Sequence, residues 1–169
     1  MPETATGFDI MADEAREKRD EIIELLKKAY WMEIETVMSY IANSVNPDGV
    51  RAMEIRESLE EDIQEELGHA KQFAERIKEL YGVVPGSLDF SAEQTYLQPP
   101  DEQVDIVPVI KGVIEAEQGA IEHYSKIVEF AADVDPVTED MVIAIMADEQ
   151  GHMREFEGFL REYEAEGKA

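Results

Sequence analysis

The chain has 169 residues, 44% of them hydrophobic, which is enough for one domain with a sizeable core and too few to expect two. It carries 40 acidic and 15 basic residues, and a formal net charge of −25 repels phosphate backbones, so we expect no nucleic-acid partner. The absence of cysteine excludes a disulfide framework, a thiolate metal site and a cysteine nucleophile.

Neither a secretory leader nor a membrane span is indicated by the hydropathy pattern. The first eight residues lack a basic segment followed by an apolar one, and no later apolar run approaches the roughly 20 residues that a span needs. We therefore expect a soluble, cytoplasmic protein with no membrane partner. The acidic charge fits either a halophilic cytoplasm or the attraction of cations towards an acidic interior, and composition does not separate the two.

Four long segments carry apolar residues at helical spacing, namely 13–44, 50–81, 107–132 and 136–164. An Asn-Pro-Asp-Gly turn at 46–49 ends the first segment, and Gly82 is a predicted C-cap for the second. Pro136 suits the first position of the fourth helix. Residues 83–107 are rich in proline and are predicted to form a loop with a short helix near 91–96.

The lengths of the connections predict the topology. Short turns join the first helix to the second and the third to the fourth, so each pair should form an antiparallel hairpin. The long middle connection can run the length of a bundle. We predict one all-α domain over residues 1–169, a four-helix bundle with one long crossover between the second and third helices, in which residues 1–12 are extended or flexible.

The two halves of the chain repeat one motif at matching intervals. A Glu and a Tyr seven residues apart are followed by Glu-x-x-His, and the two glutamates of each half are 33 and 32 residues apart. The repeated residues are Glu33, Tyr40, Glu66 and His69 in the first half, and Glu117, Tyr124, Glu149 and His152 in the second.

Each predicted helix places one of these glutamates on its apolar, core-facing stripe, and no Lys or Arg occupies the stripes. Four buried carboxylates need compensating charge, which two divalent cations would supply. Glu and His at i and i+3 lie on one helix face and can reach the same ion. The predicted metal-ligating and catalytic set is Glu33, Glu66, His69, Glu117, Glu149 and His152. Such ligands suit iron or manganese, and suit zinc less well.

Four neighbouring residues have predicted supporting roles. Tyr40 and Tyr124 share faces with Glu33 and Glu117, so they are either core aromatics or groups that bond a ligand carboxylate or supply an electron. Glu65 and Asp148 precede the motif glutamates and are either solvated or accept the ring N–H of the histidine on the opposite helix.

Three further side chains are predicted to lie outside the site. Glu35 and Glu115 lie about 200° around the helix from the core stripe, so we expect both to face solvent. His123 is off the stripe and should be exposed.

The motif residues resemble those of the ferritin-like superfamily over about residues 22–160. The stretch ADEQGH at 147–152 is similar to bacterioferritin, and EELGHA at 65–70 is similar to bacterioferritin and to archaeal Dps-like proteins. The resemblance implies an iron-storage ferroxidase, which oxidises two bound Fe(II) with dioxygen or hydrogen peroxide and stores the ferric product inside a homo-oligomeric shell.

Two differences between this sequence and these families bear on the predicted cofactor and assembly. Bacterioferritins bind haem through a Met where this chain has Leu67, so no haem is expected. Only 17 residues follow His152, which leaves little room for a fifth helix and favours a dodecamer over a 24-mer, with a dimer still open. Two alternatives remain: a small peroxide-detoxifying di-iron or di-manganese enzyme, rubrerythrin-like or manganese-catalase-like, and a non-catalytic acidic bundle.

Overall fold

The computed structural model describes residues 9–169 and has the predicted all-helical fold, with no strand in that range. The four long helices are α1 (Arg16–Val45), α2 (Met53–Glu79), α3 (Val107–Ala131) and α4 (Pro136–Ala165). Of the helices within residues 9–169, none combines the length and apolarity that crossing a membrane requires. The predicted fold class, an all-α four-helix bundle with one long crossover, is confirmed.

The helices pack as two hairpins laid against each other. The α1–α2 and α3–α4 pairs are in extensive contact, α1 also packs on α3, and α2 and α4 touch only sparsely. Two apolar clusters fill the bundle. One contains Leu26, Phe73, Tyr124 and Ile145, and the other contains Tyr40, Leu59, Val113 and Phe156. On every helix the motif glutamate lies between the residues of these two clusters, so the polar site separates them.

The end of α2 is tied to the start of α4 by a buried polar network. Asp135 is the N-cap of α4, and its carboxylate accepts a 3.1 Å bond from the backbone N–H of Thr138. The Arg76 guanidinium of α2 donates to Asp135 Oδ1 at 2.8 Å and to Thr138 Oγ1 at 2.9 Å. Because this network joins the last turns of α2 to the first turn of α4, it helps to set how the two Glu-x-x-His helices face each other.

Two local predictions along the chain are wrong in detail. The crossover has 3₁₀ turns at Ser87–Asp89 and Thr95–Leu97, not a helix near 91–96. At the end of α2 the left-handed position is Tyr81 (φ 68°) and not Gly82, whose N–H bonds to the Ile77 carbonyl at 2.8 Å. Glycine is required at 82 by space, because a Cβ there would lie 2.9 Å from Ile77 Cγ2.

The crossover is fastened to α1 through Glu35, contrary to the prediction that Glu35 faces solvent. Glu35 is buried, and its Oε1 accepts the backbone N–H groups of Glu93 and Gln94, both at 2.7 Å. Asn43, two turns further along α1, donates to a crossover carbonyl at 3.0 Å. The helical wheel correctly points Glu35 away from the bundle core, but the crossover covers that face.

The two other residues expected at the surface differ in outcome. Glu115 is exposed, as predicted. His123 is half-buried, and its Nε2 donates to the Leu25 carbonyl at 2.9 Å, so the prediction of an exposed ring is wrong. Burial lowers the pKa of His123, in keeping with a neutral ring that packs between α3 and α1.

Arg19 organises the segment that leads into α1. Its guanidinium donates to the carbonyls of Ile10 and Ala12, each at 3.0 Å, and the Ile10 side chain is buried. The prediction that residues 1–12 are extended or flexible lies, for residues 1–8, outside the described residues.

Replacing Glu35 by Ala should lower the free energy of unfolding by about 2–3 kcal/mol, because one buried and one partly buried N–H group lose a charged acceptor. Denaturant unfolding followed by circular dichroism measures the change. Glu115→Ala removes the same side chain from an exposed position of α3 and serves as the control. Equal stability of the two variants would show that the bonds to the crossover contribute nothing.

Candidate metal centre

One glutamate from each helix enters a single buried layer of the bundle. The side chains of Glu33, Glu66, Glu117 and Glu149 are each no more than 2% exposed, and His69 and His152 are also buried. The structure therefore brings together all six residues of the predicted ligand set. Each lies on the middle turns of a long helix, where backbone hydrogen bonds hold its position.

The six residues form two overlapping groups of four. Glu33, Glu66, His69 and Glu149 make one group, and Glu66, Glu117, Glu149 and His152 make the other. In each group, ligand atoms from all four members lie within 4.8 Å of one another. Glu66 and Glu149 belong to both groups and are called here the central glutamates, while Glu33 and Glu117 are the outer glutamates.

Both imidazoles point Nδ1 at the carboxylates in matching ways. His69 Nδ1 lies 3.0 Å from Glu149, 3.6 Å from Glu66 and 3.9 Å from the outer Glu33. The equivalent distances from His152 Nδ1 are 3.2 Å to Glu66, 3.5 Å to Glu149 and 3.8 Å to the outer Glu117. The centre thus has an approximate twofold symmetry that exchanges the two hairpins.

The far nitrogen of each imidazole is held by an acid on the opposite helix. His69 Nε2, on α2, lies 3.2 Å from Asp148 Oδ2 on α4, and His152 Nε2, on α4, lies 2.9 Å from Glu65 Oε2 on α2. Each carboxylate accepts a hydrogen bond from the Nε2–H group, and Nδ1 therefore faces the glutamates. In both contacts the acid that precedes a motif glutamate meets the histidine of the opposite helix, which is one of the two arrangements predicted from the sequence.

The outer glutamates are each bonded by a buried tyrosine from the other hairpin. Tyr40 on α1 donates to Glu117 Oε1 on α3 at 2.5 Å, and Tyr124 on α3 donates to Glu33 Oε1 on α1. Both phenols are completely buried. A tyrosine therefore orients the outer glutamate across the bundle and not the one on its own helix.

The donor atoms of this layer suit cations better than they suit one another. Within the described part of the chain, Nδ1 of both histidines, Glu66 Oε1 and both carboxylate oxygens of Glu149 are buried, and none of the close contacts between them has hydrogen-bond geometry. Buried polar atoms of this kind are costly unless something binds them. Each half offers one imidazole nitrogen and carboxylate oxygens, a donor set suited to Fe(II) or Mn(II).

The electrostatics of the histidines reflect the same crowding of acids. Burial acts to lower the pKa of His69, but the neighbouring carboxylates of Glu149 and Glu66 outweigh it and raise the pKa to about 10. Burial is likewise outweighed at His152, where the same two carboxylates raise the pKa to about 12. Without a cation, both imidazoles are therefore protonated on both nitrogens, and positively charged, at neutral pH.

The glutamates divide into two classes. Burial and the charge of Glu66 raise the pKa of Glu33 well above its usual value, and burial with Glu66 and Glu149 does the same for Glu117. Burial opposes ionisation of the central pair too, but contacts with Glu33 and the imidazoles lower the pKa of Glu66, and contacts with the imidazoles lower that of Glu149. Protons on the outer glutamates and histidines thus balance this layer when no metal does so.

Asp62 is a buried acid beside the centre that the sequence analysis did not single out. Its side chain is buried on α2, and Oδ1 lies 3.5 Å from His152 Nε2. Its position four residues before Glu66 places it on the same helix face, and this spacing could have identified it from the sequence.

An all-helical bundle with this paired layer of glutamates and histidines defines a class of four-helix bundles whose buried carboxylate and imidazole groups could hold metal ions. The chain belongs to the ferritin-like domain family, which matches residues 23–165.

Individual relatives agree with the family assignment. The chain is 30% identical over 160 residues to the DNA protection during starvation protein of Pyrococcus furiosus, covering 92% of this chain and 80% of the relative. It is 28% identical over 149 residues to a bacterioferritin of Desulfovibrio desulfuricans, covering 87% and 78%. The fold is also that of a dodecameric thioferritin of Bacteroides fragilis, with a TM-score of 0.79 at 23% identity over 93% of this chain and 98% of that one.

Divalent metal binding should release protons and strengthen as the pH rises. Nδ1 of both histidines must lose a proton to bind a cation, and the outer glutamates must ionise, so we expect about two to four protons released per pair of ions near pH 7. Anaerobic titration with Co(II) in weakly buffered solution measures the release directly. Proton-independent binding between pH 6 and 8 would contradict this arrangement of charges.

Proposed function

We propose that this protein is an iron-storage ferroxidase that binds two Fe(II) per chain as substrate and oxidises them to Fe(III). The observation that carries the proposal is the pair of overlapping four-residue groups that share Glu66 and Glu149. A shared carboxylate can bridge two ions, so two one-electron donors are held side by side. The bacterioferritin and starvation-protection relatives support an iron-storage or protective role.

The chemistry requires two electrons, one from each iron. With dioxygen and two protons, two Fe(II) give two Fe(III) and one hydrogen peroxide; with hydrogen peroxide and two protons, they give two Fe(III) and two waters. In the protein, Tyr40 and Tyr124 keep the outer carboxylates oriented, and Asp148 and Glu65 keep the imidazoles facing inward. Proton release from the histidines on iron binding offers a source of the protons consumed.

The protective role is proposed to act through consumption of iron and oxidant. One relative is named for DNA protection, but a chain with a net charge of −25 repels DNA, so we infer that this protein does not coat it. The alternative is a small peroxide-detoxifying enzyme with the same centre, with iron or manganese as a resident cofactor. Assembly separates the two, because storage needs a hollow shell and the enzyme does not.

We propose a homo-oligomer, with a dodecamer favoured and no haem bound. An apolar stripe on the outer face of α1 supports assembly: Met38, Ile41 and Val45 are 57%, 48% and 67% exposed, and Ile34 continues the stripe. These residues are spaced by three and four, so they form one face along the helix. Exposed apolar surface of this kind is typical of a protein interface.

Anaerobic Fe(II) titration followed by oxidant should saturate at about two irons oxidised rapidly per chain, one for each imidazole-containing group. Glu66→Gln and Glu149→Gln should each slow oxidation by at least about 100-fold, since even outer partners of metal ligands typically contribute 10- to 100-fold. Absorbance of the ferric product follows the reaction. Glu115→Gln, at an exposed position of α3, is the control.

Running the titration with limiting dioxygen or limiting peroxide identifies the preferred oxidant. A folded protein that binds two Fe(II) but oxidises them no faster than the Gln variants would contradict the ferroxidase proposal. Sustained turnover of peroxide without retained iron would favour the detoxifying enzyme.

The double substitution Met38→Glu and Ile41→Glu should reduce the assembly to small species, because each new carboxylate must be desolvated in the contact. Light scattering coupled to size-exclusion chromatography measures the mass. Gln72→Glu adds a negative charge on an exposed face of α2 and should leave the mass unchanged. A double variant that assembles like the unmodified chain would place the interface elsewhere.

A further inference from the structure

The approximate twofold symmetry of the centre breaks down immediately beside it. Positions four and eight residues before the central glutamates correspond in the two hairpins. On α2 they hold Asp62 and Ser58, whereas on α4 they hold Ile145 and Met141. These equivalent positions are therefore polar on the His152 side of the centre and apolar on the His69 side.

The polar side contains buried oxygen atoms that make no hydrogen bond within residues 9–169. Asp62 is 5% exposed and Ser58 is 8% exposed, and among residues 9–169 neither Asp62 Oδ2 nor Ser58 Oγ has a hydrogen-bond partner. The two residues are one turn apart on α2, so they share a face. A second turn of that face carries Glu65, whose side chain is 56% exposed and whose Oε2 meets His152. This face, Ser58, Asp62 and Glu65, is called the polar wall.

The apolar side is closed by packing. Ile145 is 1% exposed and belongs to the cluster that contains Phe73 and Tyr124, and Met141 packs against that cluster. Asp148, three residues after Ile145, corresponds to Glu65 of the polar wall, and within the described chain it is the only acid in hydrogen-bond range of His69 Nε2. Beyond Asp148, a hydrated cation approaching along this side would meet hydrocarbon, with no second oxygen to replace its lost waters.

We propose that divalent cations reach the dinuclear centre from one side, along the polar wall and past His152, with Asp62 as the carboxylate that receives them. This inference rests on the proposed function, because it describes how the substrate iron arrives. The exposed carboxylate of Glu65 meets the cation first. Asp62 Oδ2 and Ser58 Oγ then replace water ligands with the hard oxygen donors that such ions prefer.

A structural role for Asp62 predicts a different outcome from a role in cation transfer. Asp62 Oδ1 lies 3.5 Å from His152 Nε2, whereas Oδ2 has no hydrogen-bond partner among residues 9–169. Asp62→Asn keeps the shape of the side chain and an oxygen acceptor for His152, and it removes the charge. A purely structural role predicts that this variant changes the melting temperature and leaves the rate of cation entry unchanged, whereas a role in cation transfer predicts slower entry.

The test measures the rate at which Co(II) fills the centre, followed by its visible absorption in a stopped-flow instrument. Asp62→Asn should slow filling by about tenfold or more at low ionic strength, as expected for loss of a charge that guides a cation. Asp62→Leu, which copies the apolar side, should slow it further. Glu60→Gln removes one charge from an exposed position on the opposite face of α2 and should change the rate less than twofold.

The equilibrium stoichiometry separates this inference from the proposed function. If Asp62→Asn still binds two Co(II) per chain but fills more slowly than Glu60→Gln, one-sided access is supported. If it fills at the unmodified rate, or if both variants slow equally, the polar wall is not the route, and the dinuclear centre stands. If the unmodified chain does not bind two Co(II), the proposed function itself fails.

Discussion

Four carboxylates meeting in the interior of an apolar bundle is the constraint on which this structure depends. Isolated buried charges of one sign are too costly to keep, so the layer needs cations, protons or both. Two histidines supply places for protons, and their nitrogens could instead bind metal ions. The remaining polar groups around the layer orient these six side chains, and the two apolar clusters on either side exclude water from it.

The repeated hairpin explains why the centre is built across the bundle. When two similar hairpins pack face to face, each residue of the motif meets its partner from the other half. Tyr40 thus reaches Glu117, and His69 reaches Asp148. Because every such contact spans two hairpins, a cation bound in the layer would also hold the hairpins together, which couples metal binding to the stability of the fold.

Departures from the repeat locate what is specific to this chain. The polar wall and its apolar counterpart occupy the same positions of the motif, so packing alone does not require the difference. A buried aspartate with a free oxygen costs stability, and proteins keep such groups where they serve function. The large negative charge acts in the same direction, since it raises the concentration of cations around the chain.

Sequence alone determined the four helices, their hairpin pairing and the six residues that converge, because helical periodicity and a matched repeat are local properties that survive packing. The role of those six as metal ligands stays a prediction. Only the tertiary structure decided which tyrosine bonds which glutamate, why Glu35 and His123 are covered, and that Asp62 lies beside His152 with one oxygen that lacks a hydrogen-bond partner among residues 9–169. These depend on where the crossover and the opposite hairpin lie, and a helical wheel describes one helix without its neighbours.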